Sequence, residues 1–162
     1  MKKVIFIGQA MPRVKRNPHD WPTLNKWLYK IGLVDKDIQD NFLYSALVDY
    51  FPGSKNGSHN VPTLDEITKE RKRLESTIND FDPNIVVSIG KLSLSYCLQM
   101  EVNKLDEFIG NKFFVNPYGL YKENTLVIPL PHPSGASTWH KKKENILLLN
   151  KALNILKENI FD

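Results

Sequence analysis

Apolar runs too short to be anything but strands, spaced by longer segments with helical periodicity, limit this chain to a narrow set of architectures. Val4-Ile5-Phe6-Ile7, Ile85-Val86-Val87 and Leu126-Val127-Ile128 are apolar at consecutive positions, the pattern of strands covered on both faces. Residues 3–7 read as one strand, ended by Gly8. Residues 41–48, 85–89 and 126–130 read as three more, and 112–115 is compatible with a further short one. Helices are expected from Pro22 to Ile31, from Thr63 to Phe81, from Gly90 to Met100, and from Glu144 to Asn159. Pro22 suits a first helical turn and Gly32 a C-terminal stop. Thr63 with Glu66 three residues on has the form of a capping box, and Asp82-Pro83 breaks that helix. Strands alternating with helices imply an α/β fold whose parallel sheet is covered on both faces.

Residues 1–162 suit one domain. The apolar runs are far too short to span a bilayer, so no membrane partner is expected. Met1-Lys2-Lys3-Val4 enters a buried-strand pattern at once and lacks the features of a signal peptide. The single cysteine, Cys97, excludes an internal disulfide and any zinc or cluster site built on cysteines of one chain. No metal is implied, and the expected setting is cytoplasmic. The net charge of +4 permits a nucleic-acid partner without requiring one. Its distribution says more: Arg13-Val14-Lys15-Arg16 and His140-Lys141-Lys142-Lys143 flank the two segments that carry candidate chemistry, and a third cluster runs from Lys69 to Arg73.

Ligands of parallel α/β sheets bind beyond the C-terminal ends of the strands. Three polar loops lie there: Gly8-Gln9-Ala10, Asp49 to Gly53, and Pro131 to Ser137. The last is the sharpest. In Leu130-Pro131-His132-Pro133-Ser134-Gly135-Ala136-Ser137, two prolines fix a histidine in a stiff turn, and small residues allow another backbone to come close. A histidine so held can donate a hydrogen bond to a developing anion. A merely rigid connection has the same sequence.

The two ends taken together resemble a known family. Gly8-Gln9-Ala10-Met11-Pro12 and His132-Pro133-Ser134 look like the two signature motifs of uracil-DNA glycosylases. Ser45-Ala46-Leu47-Val48-Asp49-Tyr50-Phe51-Pro52-Gly53, followed by Val61-Pro62-Thr63 and Glu66, resembles the second strand and loop of the bacterial and archaeal family-4-like branch. So does Pro83-Asn84-Ile85-Val86-Val87-Ser88-Ile89-Gly90-Lys91, and the order of the blocks agrees. The resemblance implies a three-layer αβα sandwich around a central four-stranded, mainly parallel sheet. It also implies a monomer that acts on DNA without a cofactor, hydrolysing the bond between a flipped base and its sugar. On that reading His132 stabilises the departing base.

Three departures from the family pattern shape the expectation. The first motif carries Gln9 and Ala10, with Met11 before Pro12, and lacks the carboxylate of the strongly active families. Asp20 is the nearest acidic candidate, to share the water and sugar side with Gln9; its other reading is a helix cap. The asparagine that reads the base edge in several families falls at Ala46, which leaves space for a bulkier base or is simply sheet core. Asp49-Tyr50 stands where a lysine–cysteine pair would be, so the iron–sulfur cluster of that branch is absent.

Around these residues, Ala10, Trp21, Ala46 and Phe51 are candidates to surround a base, with His19 as a further stacking group. Trp21 also fits the core, and Trp27, at helical spacing, fits it better. Ser134, Ser137, Trp139 and Lys141 are candidates to meet the DNA backbone or wedge the duplex; Ser134 reads equally as a turn cap and Trp139 as a helix-entry contact. His59-Asn60 lies in a loop within reach of the same edge. Cys97 reads as a buried small hydrophobe. Two alternatives to a glycosylase stand beside it: a reader of modified bases in DNA that does not cleave, and a hydrolase or binding protein for free nucleosides or nucleotides.

Overall fold

The computed structural model describes residues 1–12, 20–56, 58–134 and 138–161. Strand β1 (Val4–Ala10) leads to helices α1 (Pro22–Lys30) and α2 (Asp35–Asn41) and then to β2 (Phe42–Val48). A small hairpin, β3 (Ser54–Lys55) and β4 (Ser58–His59), precedes α3 (Leu64–Phe81). The chain continues through β5 (Ile85–Ile89), α4 (Gly90–Leu98), β6 (Phe113–Val115), β7 (Thr125–Leu130) and α5 (Lys143–Ile160).

The main sheet has five strands in the order β2-β1-β5-β7-β6. The first four are parallel, and β6 joins antiparallel at the edge beside β7. The expected four-stranded parallel sheet is therefore present, with the 112–115 segment added as a fifth strand. Order reverses at β1: its two neighbours are β2 and β5, so the crevice beyond its C-terminal end is the switch point where such folds bind ligands.

Period-two alternation divides the strands between two cores. Val4, Phe6, Tyr44, Ala46, Val87 and Ile128 meet Leu24, Trp27 and Leu28 of α1 and Leu149, Leu153 and Leu156 of α5. Ile5, Ile7, Leu47, Val86 and Val127 meet Ile67, Leu74 and Ile78 of α3 and Cys97 of α4. This is the αβα sandwich that the alternation of elements implies.

The capping box forms as its spacing predicts: Thr63 Oγ1 accepts from the Glu66 amide at 3.2 Å, and Glu66 Oε1 accepts from the Thr63 amide at 3.0 Å. One expectation needs correction, and one helix was not anticipated. Strand β1 does not end at Gly8 but runs to Ala10, because pairing with β2 continues through Gly8↔Ala46 and Ala10↔Val48. Gly8 is there for space. A Cβ on it would lie 2.8 Å from the Tyr44 hydroxyl oxygen. Helix α2 lacks an apolar stripe, since only Ile38 of its seven residues is buried, so periodicity gives no sign of it. It is held instead by a local cap, with Asp37 Oδ2 accepting from the Val34 amide at 3.0 Å.

Candidate active site

The loops after β1 and β7 meet through two rings. Trp21 occupies the N-cap of α1, without a side-chain capping bond, and Pro22 fills the first helical position. Asp20 therefore precedes the cap rather than forming it, and is half-buried. The indole of Trp21 stacks on Tyr44 of β2 with centroids 5.3 Å apart and planes at 22°. His132 meets the same indole edge-on, also at 5.3 Å, with planes at 78°. Tyr44 in turn presses its hydroxyl against Gly8. A continuous cluster thus runs from Gly8 through Tyr44 and Trp21 to His132, on the sheet face covered by α1 and α5. Trp21 is buried, whereas His132 and Ser134 keep part of their surface open.

Ala46 shares this face with Tyr44 and is wholly buried, so it leaves no open space at its own position. Trp27 belongs to the core, as its spacing predicts. Cys97 is buried as well, and desolvation pushes its thiol up to about 12.

Gln9 points the other way. It lines a cavity of about 770 Å³ on the α3/α4 side of the same sheet edge, with Arg71, Lys91, Ser95, Tyr96 and Gln99 among its walls. Alternation along the strand explains this, since Gln9 falls on the face of Ile5 and Ile7 while Gly8 falls on that of Phe6. Ala10 is half-buried at the strand's end, where the Met11 amide donates to the Val48 carbonyl at 3.2 Å.

The loop carrying Phe51 is tied down by α3. Glu70 accepts from the Asp49 amide at 2.7 Å, and Glu66 accepts from the Tyr50 hydroxyl at 2.6 Å. That Tyr50 bond, with the bond from the Thr63 backbone, lowers the Glu66 carboxyl below its ordinary value. Arg73 holds the end of β2 itself, donating to Ser45 Oγ at 3.0 Å and to the carbonyls of Ala46 at 2.7 Å and Leu47 at 3.2 Å. Asn60 closes the same loop, donating through Nδ2 to the Pro52 carbonyl at 3.1 Å. Phe51 remains half-buried on this anchored loop.

After the histidine loop, Trp139 starts a short 3-10 turn, Trp139–Lys141, and packs against the α1/α5 core. Asn145, buried on α5, fixes that turn by donating to the Trp139 carbonyl at 2.9 Å. Lys141 is exposed. Ser137, His19 and the Arg13–Arg16 cluster lie outside the described residues, as do the side chains of His59 and His140.

The structure therefore brings Trp21 and His132 together, places Gln9 across the sheet from them, and leaves Phe51 on a separate loop. It adds Tyr44 and Asn145, which the sequence did not single out, and gives a role to Arg73, which the sequence marked only as the end of a basic cluster. Tyr44 carried a visible signal, an aromatic with a polar tip on a strand paired to a glycine-bearing one. Nothing in the sequence signals these roles of Arg73 and Asn145, because each acts on backbone carbonyls that only the packed fold brings near.

The profile of the family described as the uracil DNA glycosylase superfamily matches residues 2–157. The chain belongs to the uracil DNA glycosylase superfamily. The matched span includes every described element up to most of α5, so the Trp21–His132 cluster and the Gln9 cavity both lie within it. A further similarity is to a protein of Bacillus phage SP01 named DNA polymerase, 30% identical over 127 residues. That match covers 68% of this chain but only 13% of the phage protein, so the chain spans a small part of its length.

Proposed function

We propose that this member of the uracil DNA glycosylase superfamily hydrolyses the N-glycosidic bond of a flipped uracil-like or modified pyrimidine in DNA. The observation that carries the reading is the edge-on contact of Trp21 with His132, which joins the loops after β1 and β7 into one site. As the bond breaks, its electron pair leaves with the base nitrogen and the sugar C1′ becomes cationic. His132, on its proline-flanked turn, donates a hydrogen bond to the carbonyl oxygen on which the base anion concentrates. Water then adds its oxygen to C1′, and the proton it gives up is carried by solvent to the departed base nitrogen, leaving an abasic site and the neutral base. Asp20 is adjacent to Trp21 and serves the water and sugar side from the His132 face, while Gln9 approaches from the α4 face of the same edge. Ser134, Trp139 and Lys141 take the flanking strand. The protein acts as a monomer in the cytoplasm.

The test is single-turnover incubation with single- and double-stranded oligonucleotides carrying uracil, hypoxanthine, xanthine, thymine mismatches or bulky modified cytosines. Alkali then cleaves any abasic site. Product with one base is expected, and His132→Ala should lower its rate by roughly 10²- to 10⁴-fold. Unchanged turnover in that variant removes the mechanism. One observation favours a second reading: Gln9 and Ala10 put no carboxylate at the end of β1. Binding to a modified oligonucleotide without product at stoichiometric protein would establish a base reader that does not cleave.

A further inference from the structure

We infer that the Tyr44 hydroxyl is the group that reads the edge of the bound base, a specificity role resting on the reading of this edge as a base site. Of the residues β2 turns toward α1 and α5, Phe42, Tyr44 and Ala46, Tyr44 alone carries a polar side-chain atom. It is 4% exposed, and its hydroxyl makes no hydrogen bond with any described residue. A hydroxyl with no partner in the protein is completed by water when the site is empty and can be completed by a ligand instead. Its direction is toward the site: Tyr44 pairs with Phe6 across the sheet, yet its hydroxyl lies over Gly8, two residues nearer the C-terminal edge. Gly8 makes this reach possible, because a side chain there would occupy the place of the hydroxyl. The Trp21 ring that covers Tyr44 is the one that His132 touches, so reader, stacking ring and anion-stabilising imidazole are contiguous.

The chemistry of a phenol suits this task. Burial raises the Tyr44 hydroxyl well above its ordinary value, so it stays protonated through the physiological range. A neutral phenol donates one hydrogen bond and accepts others, and it can meet a carbonyl or an imino N–H of a pyrimidine. Unlike an amide, it does not impose a fixed donor–acceptor pair. The geometry therefore fits a class of carbonyl-bearing bases rather than one base read bidentately.

The deciding variant is Tyr44→Phe, which retains the ring stacked on Trp21 and removes one oxygen. Single-turnover rates and equilibrium binding are compared for wild type and variant across the oligonucleotide panel above, with urea unfolding as a control. The expected result is a loss of roughly 3- to 10-fold for the preferred base, the worth of one neutral hydrogen bond. Bases lacking the recognised carbonyl should lose less, and unfolding should be unchanged or shifted to higher urea. An unaltered base ranking in a variant that is otherwise active or binding overturns the role of Tyr44 and leaves the site reading intact. Wild type that neither cleaves nor binds any oligonucleotide of the panel overturns both.

Discussion

The two faces of the sheet treat their buried polar groups in opposite ways. On the α3/α4 face they close on one another. Ser93 Oγ donates to the Ile7 carbonyl at 2.7 Å, the Tyr118 hydroxyl lies 2.7 Å from Ser93 Oγ and 3.3 Å from Ser88 Oγ, and Arg73 clamps the end of β2. On the α1/α5 face, the Trp139 indole N–H is buried with no hydrogen-bond partner among the described residues, and burial alone acts on the Tyr44 hydroxyl; on the other face the same is true of a single atom, Arg73 Nε. Both tyrosines are buried and both rings are packed. The α3/α4 face is thus the more fully self-satisfied of the two, and the α1/α5 face, which carries His132, has a tyrosine hydroxyl open to completion from outside the chain.

The sharpest way to break this contrast is through chemistry. If both faces are scaffold, His132→Ala changes nothing beyond local packing; the expected outcome is the rate loss of two to four decades given above. A second test deletes the same atom on each face. Tyr118→Phe should cost about 1–3 kcal/mol in urea unfolding, because it strips partners from Ser88 and Ser93 in a sealed interior. Tyr44→Phe should lie within about 0.5 kcal/mol of wild type or be more stable. Equal losses in the two variants would erase the comparison.

Gly8→Ala sharpens it further. The added Cβ would meet the Tyr44 oxygen at 2.8 Å and ring carbons at 3.6 and 3.8 Å. Overpacking of this kind costs about 1–3 kcal/mol. Combined with Tyr44→Phe the oxygen clash is gone and only ordinary contacts remain, so the double variant should recover most of the loss, measured as a coupling energy in a double-mutant cycle. Additive losses would mean that the hydroxyl does not sit over Gly8.

The smallest expected effect concerns acid. Glu66 is lowered chiefly by its bond from Tyr50, then by the Thr63 backbone. A carboxyl whose folded value is depressed supports the fold fully above its unfolded value, and that support is lost as pH falls through the folded one. The Tyr50–Glu66 tie should therefore loosen below the ordinary carboxylate range. Protection of backbone amides in the Asp49–Gly53 loop against hydrogen exchange should fall there in wild type, and should be low at all pH values in Glu66→Gln if the carboxylate charge is what holds the loop.

Much of the frame was legible before any coordinates. Consecutive apolar residues at Val4–Ile7 and Ile85–Val87 mark buried parallel strands, and Thr63 with Glu66 marks a helix start, because strand burial and capping are local matters of sequence. The ordered motif blocks likewise located the superfamily and the histidine turn. Gly8 misled as a strand terminator, since its lack of a Cβ answers to Tyr44 on another strand rather than to a turn. Helix α2 was invisible because a helix with one buried residue writes almost no periodicity.

Local sequence alone dictates which elements form and which loops gather at one edge, for period and turn chemistry act over a few neighbours. Which side of that edge each side chain faces was decided by tertiary structure alone. Extending β1 through Gly8 set the register that turns Gln9 toward α4 and leaves Gly8 beneath the Tyr44 hydroxyl. A one-residue difference in where a strand ends reverses nothing in the pattern of residues, but side chains alternate between faces of a sheet, and only pairing with the neighbouring strands fixes which face each one takes.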